Sequence, residues 1–184
     1  MKKLAIIAWV LVLSTPAATG LAAAEETSAA EGPLTYECGD GILEVRLPEG
    51  WEANPRLASD NMVLAFFHPA GMELDQEIPI WIFVEERSRP GGSSFETWME
   101  EVLDEGAVHD FVVQDSARFE TAGGSALYDY RFNASVQGEI RGITFLETPE
   151  GALLFRRQAD GRGSWEEWGD EALSLVSGVR FVAR

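Results

Sequence analysis

Apolar and polar residues alternate in several short stretches of this chain, and this period of two predicts β-strands. Residues 42–47 are the clearest case, because Leu43, Val45 and Leu47 lie on one face and two charged residues lie on the other. A turn at 48–50 ends this strand, and we expect Trp51 to fold back onto the apolar face. The pattern is typical of a strand with one face in the core and the other in water.

Further strands follow from apolar runs bounded by turn residues. Residues 62–67 form a second run, and residues 78–84 are apolar on both faces, which predicts a strand covered on both sides. Two hairpins and a short closing strand are predicted after these runs, from 111–120 with 125–133, from 140–147 with 152–158, and from 179–182.

The return strand of the first hairpin alternates regularly between aromatic and charged residues. Because residues two apart share a face of a strand, we expect Tyr128, Tyr130 and Phe132 to point inward. On the same reasoning, Asp129 and Arg131 point outward. This strand is therefore expected to present one aromatic face to the core and one charged face to water.

Two segments have the spacing of helices that pack one face onto a sheet. The first starts with Ser93, which stands in capping-box spacing with Glu96, and Gly106 ends it. The second starts with Ser164, and its apolar stripe consists of Trp165, Trp168, Ala172, Leu175 and Val176. The order of elements predicts an α+β fold, a mostly antiparallel β-sheet with two main helices packed on it.

The first 24 residues predict the cellular location of the protein. A basic start is followed by an unbroken apolar run from Leu4 to Leu13, and Ala22-Ala23-Ala24 has the small side chains of a signal-peptidase site. We therefore expect a signal peptide cleaved after Ala24 and a periplasmic or secreted product, with no stable membrane insertion afterwards. Residues 25–33 are small or acidic and are expected to form a flexible leader, so residues 34–184 form the single folded domain.

The charge of the mature chain narrows the possible partners. Both lysines lie in the predicted signal peptide, so 12 arginines face 31 acidic residues, which leaves a net charge of −19. A field of this sign repels phosphate backbones and anionic lipid headgroups, so nucleic acid and membrane surfaces are poor partners. A cationic ligand stays open, although dispersed acids also serve solubility.

The residues that usually carry chemistry are few and widely spaced. Cys38 is the one cysteine, so it forms no intramolecular disulfide, and a thiol nucleophile would need His68 or His109 beside it as a base. The chain has no nucleophile motif of the G-x-S-x-G or S-x-x-K type, and two histidines with one cysteine fall short of the usual zinc ligand set. We therefore assign no catalytic, cofactor-binding or metal residue, and we expect Cys38 to be structural.

The tryptophans offer the strongest candidates for contacts with a partner. Trp51, Trp98 and Trp165 stand where the predicted core would use them. Trp81 and Trp168 are the candidate partner-contact residues, because an exposed tryptophan in an apolar patch is typical of an interaction surface.

Four segments resemble the PsbP-like superfamily, which includes the DcrB-like exported bacterial proteins. They are the strand, Pro-x-Gly turn and tryptophan of 42–51, the helix start at 94–98, the Gly123-Gly124 hairpin and the closing segment 175–181. The resemblance implies an antiparallel sheet with helices on its faces, and a binding or assembly module rather than a catalyst. It implies no particular site residue.

The leading functional hypothesis is an exported, non-enzymatic binding or assembly module of the cell envelope, with a protein partner. One alternative is a small hydrolase or ligand carrier with a pocket between the sheet and a helix, which predicts ionisable groups converging in a cavity. Another is protection against a cationic toxin or peptide, which predicts one concentrated acidic face.

Overall fold

A computed structural model of the chain describes residues 32–72, 78–107, 112–132 and 140–184. The predicted signal peptide, most of the predicted leader and His109 lie outside the described residues. Within the described residues, we find no helix with the length and apolar character needed to cross a membrane.

The element order is strands, helix, strands, helix, two hairpins, helix and a final strand. The strands are β1 (Leu34–Cys38), β2 (Gly41–Val45), β3 (Trp51–Ala53), β4 (Ala65–Pro69), β5 (Ile80–Ser88), β6 (Val113–Glu120), β7 (Ala126–Phe132), β8 (Ile140–Thr148), β9 (Gly151–Ala159) and β10 (Arg180–Ala183). The helices are α1 (Pro55–Asp60), α2 (Phe95–Ala107) and α3 (Arg162–Ser177).

The strands form two antiparallel sheets. The larger sheet has seven strands in the order β3-β4-β5-β9-β8-β7-β6, and the smaller has three in the order β1-β2-β10. The predicted α+β architecture, a mostly antiparallel sheet with two main helices, is confirmed. The third helix, α1, is short and was not predicted. Pro55 is in its first turn, and the Asn54 side chain caps it by accepting a hydrogen bond from the Leu57 N–H at 3.0 Å.

The first face of the large sheet packs against α3 and the small sheet. This core includes Leu43 and Val45 of β2, Ile82 of β5, and Leu175 of α3, all fully buried. Trp51 joins the same core, which confirms that it folds back onto the strand before it. The alternation read in residues 42–47 therefore reflects burial of one strand face under a second layer.

The second face of the large sheet packs against α2. Phe95, Trp98, Met99 and Val102 lie along one side of this helix and contact buried residues of β7, β8 and β9. Tyr128, Tyr130 and Phe132 of β7 also pack here, as their alternation predicts. Because both faces are covered in this region, β8 and β9 are rich in buried residues on both sides.

The helix starts differ from the predicted capping boxes. Helix α2 begins at Phe95, so Ser94 rather than Ser93 is the cap, and its Oγ accepts a hydrogen bond from the Thr97 N–H at 3.2 Å. Helix α3 begins at Arg162 with Gly161 as its cap, and that cap has no side-chain hydrogen bond. Ser164 therefore lies inside the helix, which starts three residues earlier than a cap at Ser164 would place it.

Candidate functional site

A partly exposed aromatic surface lies on the second face of the large sheet, beyond the part covered by α2. Register places Trp81 opposite Gln158, and Phe83 opposite both Phe66 and Arg156, so these side chains share one face. We call Trp81, Phe83, Glu85, Arg156 and Gln158 the Trp81 surface. Among the described residues, neither Trp81 nor Phe83 belongs to the apolar cluster under α2.

Charged side chains border the aromatic rings of the Trp81 surface. Glu85 Oε2 lies 3.1 Å from Arg156 Nε and 3.3 Å from Arg87 Nε, so one carboxylate pairs with two guanidinium groups. The Arg156 Nε is buried. It lies within ion-pair distance of Glu85, but the two groups are not aligned for a hydrogen bond. All of the residues in the Trp81 surface are half-buried. The surface is therefore a fixed array of rings and paired charges that water still reaches.

The second predicted contact residue, Trp168, lies elsewhere. It is half-buried on α3, where it packs against the first core and meets the Trp51 ring edge-to-face at 6.4 Å between centroids. The Trp51 Nε1–H in turn donates to Glu171 of the same helix at 3.2 Å. These contacts give Trp168 a packing role, and its contact with a partner stays a prediction. The structure does not bring Trp168 together with Trp81 on one face.

A charged cluster lies inside the first core, which the sequence did not predict. Arg157 of β9 is only 2% exposed, and its Nη2 donates to Asp129 Oδ1 on β7. The Thr144 hydroxyl of β8, between them, donates to the same oxygen at 2.6 Å. Asp129 was predicted to face water and is instead buried, because this face of β7 lies against the interior and not against solvent.

Trp165 of helix α3 covers the buried guanidinium. The Arg157 Cζ lies 5.3 Å from the Trp165 ring centroid, and the Cζ of the exposed Arg131 lies 5.9 Å from it. Gly142, opposite Arg157, leaves the space for this arrangement, since a Cβ there would lie 2.7 Å from Arg157 Nη2 and 3.0 Å from the Trp165 ring. The cluster therefore fastens the start of α3 to the sheet.

Burial and pairing act on Arg157 in opposite directions. Burial lowers the pKa of its guanidinium, and the charge and hydrogen bond of Asp129 raise it again. An arginine starts from so high a pKa that it keeps its proton, so the carboxylate of Asp129 is its required counter-charge. The arrangement stabilises one geometry and leaves the guanidinium of Arg157 almost fully shielded from solution.

Cys38 and His68 are both buried, in different sheets. Burial, followed by the charge of Glu86, raises the Cys38 pKa to about 11, which is opposite to what a thiol nucleophile needs. The His68 Nδ1 lies 2.8 Å from the Pro69 carbonyl and its Nε2 lies 3.2 Å from the Asn54 amide. Since a carbonyl only accepts, Nδ1 carries the proton and Nε2 accepts from Asn54, so His68 bridges β4 to the cap of α1.

The described residues fill the space between the large sheet and its two helices. Leu127, Leu146, Leu153 and Phe155 are fully buried on the α3 side, and Phe145 and Leu154 are fully buried on the α2 side. A cleft of about 410 Å³ lies instead at one end of the sheet, bordered by residues 88–93 and the β8–β9 turn. Among the described residues, His, Cys, Asp and Glu do not form a group of three with the placement of metal ligands.

Comparison with known proteins relates this chain to a solved structure. No family model matches the chain, and no curated protein matches it. The solution structure of cyanobacterial PsbP (CyanoP) from Synechocystis sp. PCC 6803 is similar, with a TM-score of 0.52 and 12% sequence identity. The similarity covers 87% of this chain and 98% of that one. The resemblance read in the strand, hairpin and helix segments is thereby confirmed at the level of architecture, and this chain has a PsbP-like fold.

Proposed function

We propose that this protein is an exported, non-enzymatic binding or assembly module of the cell envelope, and that a partner protein contacts it through the Trp81 surface. The observation that carries the proposal is the composition of that surface, in which half-buried Trp81 and Phe83 lie beside Arg156 on rigid neighbouring strands. Tryptophan and arginine are the residues most enriched at the energetic centres of protein interfaces. Because the surface is already ordered, binding costs little conformational entropy.

The packing of the interior supports a binding module over a ligand carrier. A carrier with a pocket between the sheet and a helix would need space where Phe145, Leu153, Leu154 and Phe155 are fully buried side by side. The raised pKa of Cys38 likewise disfavours a thiol hydrolase. A cationic partner remains compatible with the proposal, since the net charge of −19 attracts positive proteins at long range.

Site-specific photo-crosslinking in the source cells tests the proposed surface. A benzophenone amino acid replaces Gln158, which lies opposite Trp81, in one variant and Val182, a 39% exposed residue of the small sheet, in the control. We expect a discrete covalent adduct with one protein from position 158 and none from position 182. The same adducts from both positions, or none from position 158, would show that the Trp81 surface does not bind a partner.

A substitution separates binding from folding. We expect Trp81→Ala, introduced into the protein that carries the probe at position 158, to abolish the adduct while the circular-dichroism spectrum stays that of the parent. Trp168→Ala is the contrasting variant, because loss of the Trp51 contact lowers the melting temperature. Unchanged partner capture by the folded Trp81→Ala variant would refute the proposal.

Export is tested by the amino terminus of the mature product. We expect mass spectrometry of the protein recovered from a periplasmic or culture fraction to show a chain that begins at Glu25. A product that retains Met1 and stays in the cytosol would refute the predicted signal peptide.

A further inference from the structure

Strand β6 is an exposed edge of the large sheet. In the part of the chain that the structure describes, β6 pairs with β7 on one side and ends the strand order on the other. Seven of its eight residues are exposed, and the eighth, Phe119, is half-buried and packs against the first core. The opposite edge, β3, has only three residues. An eight-residue edge strand that is mostly exposed has the backbone groups needed to accept another strand.

The hairpin fixes which backbone groups of β6 point outward. The Thr121 N–H donates to the Ser125 carbonyl at 2.8 Å, so Thr121 points its backbone groups toward β7. The directions of the backbone N–H and C=O groups alternate along an antiparallel strand. The backbone groups of Phe119 and Ala117 therefore also point toward β7. Those of Ser116, Arg118 and Glu120 point to the free edge. A register irregularity between Val113 and Asp115 ends the regular part of the strand there.

A second copy of this chain is able to pair with these outward groups across a two-fold axis. Such a pair of strands is antiparallel, and residues whose backbone groups point to the free edge must face the same kind of residue in the second copy. In each possible register, one residue faces its own copy at the two-fold axis, and we call the register centred on that residue. At least two hydrogen-bonded residue pairs lie within the regular segment when the register is centred on Ala117, Arg118 or Phe119. The register centred on Arg118 sets two guanidinium groups directly opposite each other, which is unfavourable.

Side-chain complementarity favours the register centred on Phe119. There Arg118 of each copy faces Glu120 of the other, which gives two ion pairs, and the two Phe119 rings meet at the axis. The register centred on Ala117 instead sets Arg118 opposite Ser116. The Arg118 Cζ lies 5.2 Å from the ring centroid of Tyr128, its pairing partner on β7. The Arg118 side chain must therefore turn from β7 toward the free edge to reach Glu120 of the second copy.

We propose that this protein self-associates through β6, forming an antiparallel dimer in which Arg118 pairs with Glu120 of the second copy around the Phe119 axis. The pairing joins the two seven-stranded sheets into one continuous sheet. The contact is small and both copies carry the same net charge, so the dimer is weak, with a dissociation constant on the order of 0.1 mM at ~0.15 M ionic strength. This surface is separate from the Trp81 surface, and either proposal holds without the other.

Charge reversal tests both the partner and the register. The mature protein is examined by sedimentation equilibrium over a concentration series that brackets the expected dissociation constant. We expect Arg118→Glu and Glu120→Arg each to weaken dimerisation at least ~10-fold, because each creates two like-charge contacts. The double variant, Arg118→Glu with Glu120→Arg, restores the ion pairs in reversed order and returns the dissociation constant to within ~3-fold of the parent value.

A matched control and the opposing outcomes complete the test. Gln114→Glu changes the charge of the same strand outside the paired segment, and we expect it to leave dimerisation within ~3-fold of the parent. Melting curves confirm that every variant is folded. A parent protein that stays monomeric throughout the series would refute self-association, and a double variant as weak as the single ones would refute the Phe119 register.

Discussion

The guanidinium of Arg157 faces the ring of Trp165, with its Cζ 5.3 Å from the ring centroid. The arginine comes from a central strand and the tryptophan from the first turn of α3, so the contact joins the two layers of the first core. Asp129 and Thr144 complete the contact from neighbouring strands. The helix is therefore held on the sheet by a satisfied buried charge in addition to apolar packing.

Removing the counter-charge of Arg157 is expected to be severe. In Asp129→Ala the buried guanidinium keeps its charge and loses its acceptor, and the Thr144 hydroxyl loses the same oxygen. We expect the free energy of unfolding to fall by about 3–5 kcal/mol, as measured by urea denaturation. Asp115→Ala on the exposed edge strand is the control, with an expected change below ~0.5 kcal/mol. Similar losses for the two variants would contradict the structural role of the pair.

A substitution at Gly142 tests the packing of the same cluster in a second way. An alanine Cβ at this position would lie 2.7 Å from Arg157 Nη2 and 3.0 Å from the Trp165 ring, so one of the two groups must move. We expect Gly142→Ala to destabilise the protein by about 1–3 kcal/mol in the same denaturation assay.

Gly163→Ala is the matched control for Gly142→Ala. Gly163 is exposed in α3, and a Cβ built there meets no atom within 4 Å. Since alanine is favoured over glycine in helices by up to ~1 kcal/mol, this variant should be as stable as the parent or more stable. Equal destabilisation by the two variants would mean that crowding at Arg157 does not decide the outcome.

The sequence predicted the layers of the fold but not the charged cluster between them. Alternation located the strands, and the aromatic residues of β7 pack on the side that their spacing indicates. The same alternation placed Asp129 in water, because a charged residue between aromatic ones is typical of a strand with one open face. Its burial depends on Arg157, which lies 28 positions later, and the sequence does not give the pairing of β7 with β8 that joins the two predicted hairpins.

Two other features of the structure, helix α1 and the surroundings of Trp81, were not predicted from the sequence. Helix α1 is only six residues long, too short for an apolar period, although Asn54 followed by Pro55 is a helix-start signal. The position of Trp81 outside the cluster under α2 depends on where that helix crosses the sheet, which its own sequence does not specify. The sequence could therefore name Trp81 as a candidate contact residue, which stays a prediction, but it could not predict the surroundings of this side chain.

The start of α2 gives a prediction that distinguishes two adjacent serines. The Ser94 Oγ accepts the Thr97 N–H at 3.2 Å, so Ser94→Ala leaves that donor without its partner at the helix terminus. We expect a loss of about 0.5–2 kcal/mol in the free energy of unfolding. Ser93→Ala should change stability by less than ~0.5 kcal/mol. A larger loss from Ser93→Ala would support the capping box read from the sequence instead.

The burial of Cys38 and Tyr36 on the small sheet makes stability depend on alkaline pH. Burial raises the pKa of Tyr36 from 10.0 to about 12, and burial followed by the charge of Glu86 raises that of Cys38 from 9.0 to about 11. Each native side chain therefore holds a proton that the unfolded chain releases at a lower pH. Their contribution to stability is complete below about pH 9 and is lost as the pH rises through the native values.

Replacing the thiol should remove part of this pH dependence. We expect the free energy of unfolding of the parent protein to decrease between pH 9 and 11, and the Cys38→Ala variant to decrease less steeply over that range. Denaturation curves at several pH values measure both slopes, and the variant's lower overall stability does not affect the comparison. A thiol reagent at pH 8 should also react with the native protein much more slowly than with the urea-unfolded chain, because little thiolate forms in the folded state. Identical pH slopes for parent and variant, together with rapid native labelling, would mean that the thiol titrates as an exposed cysteine and that β1 does not bury it.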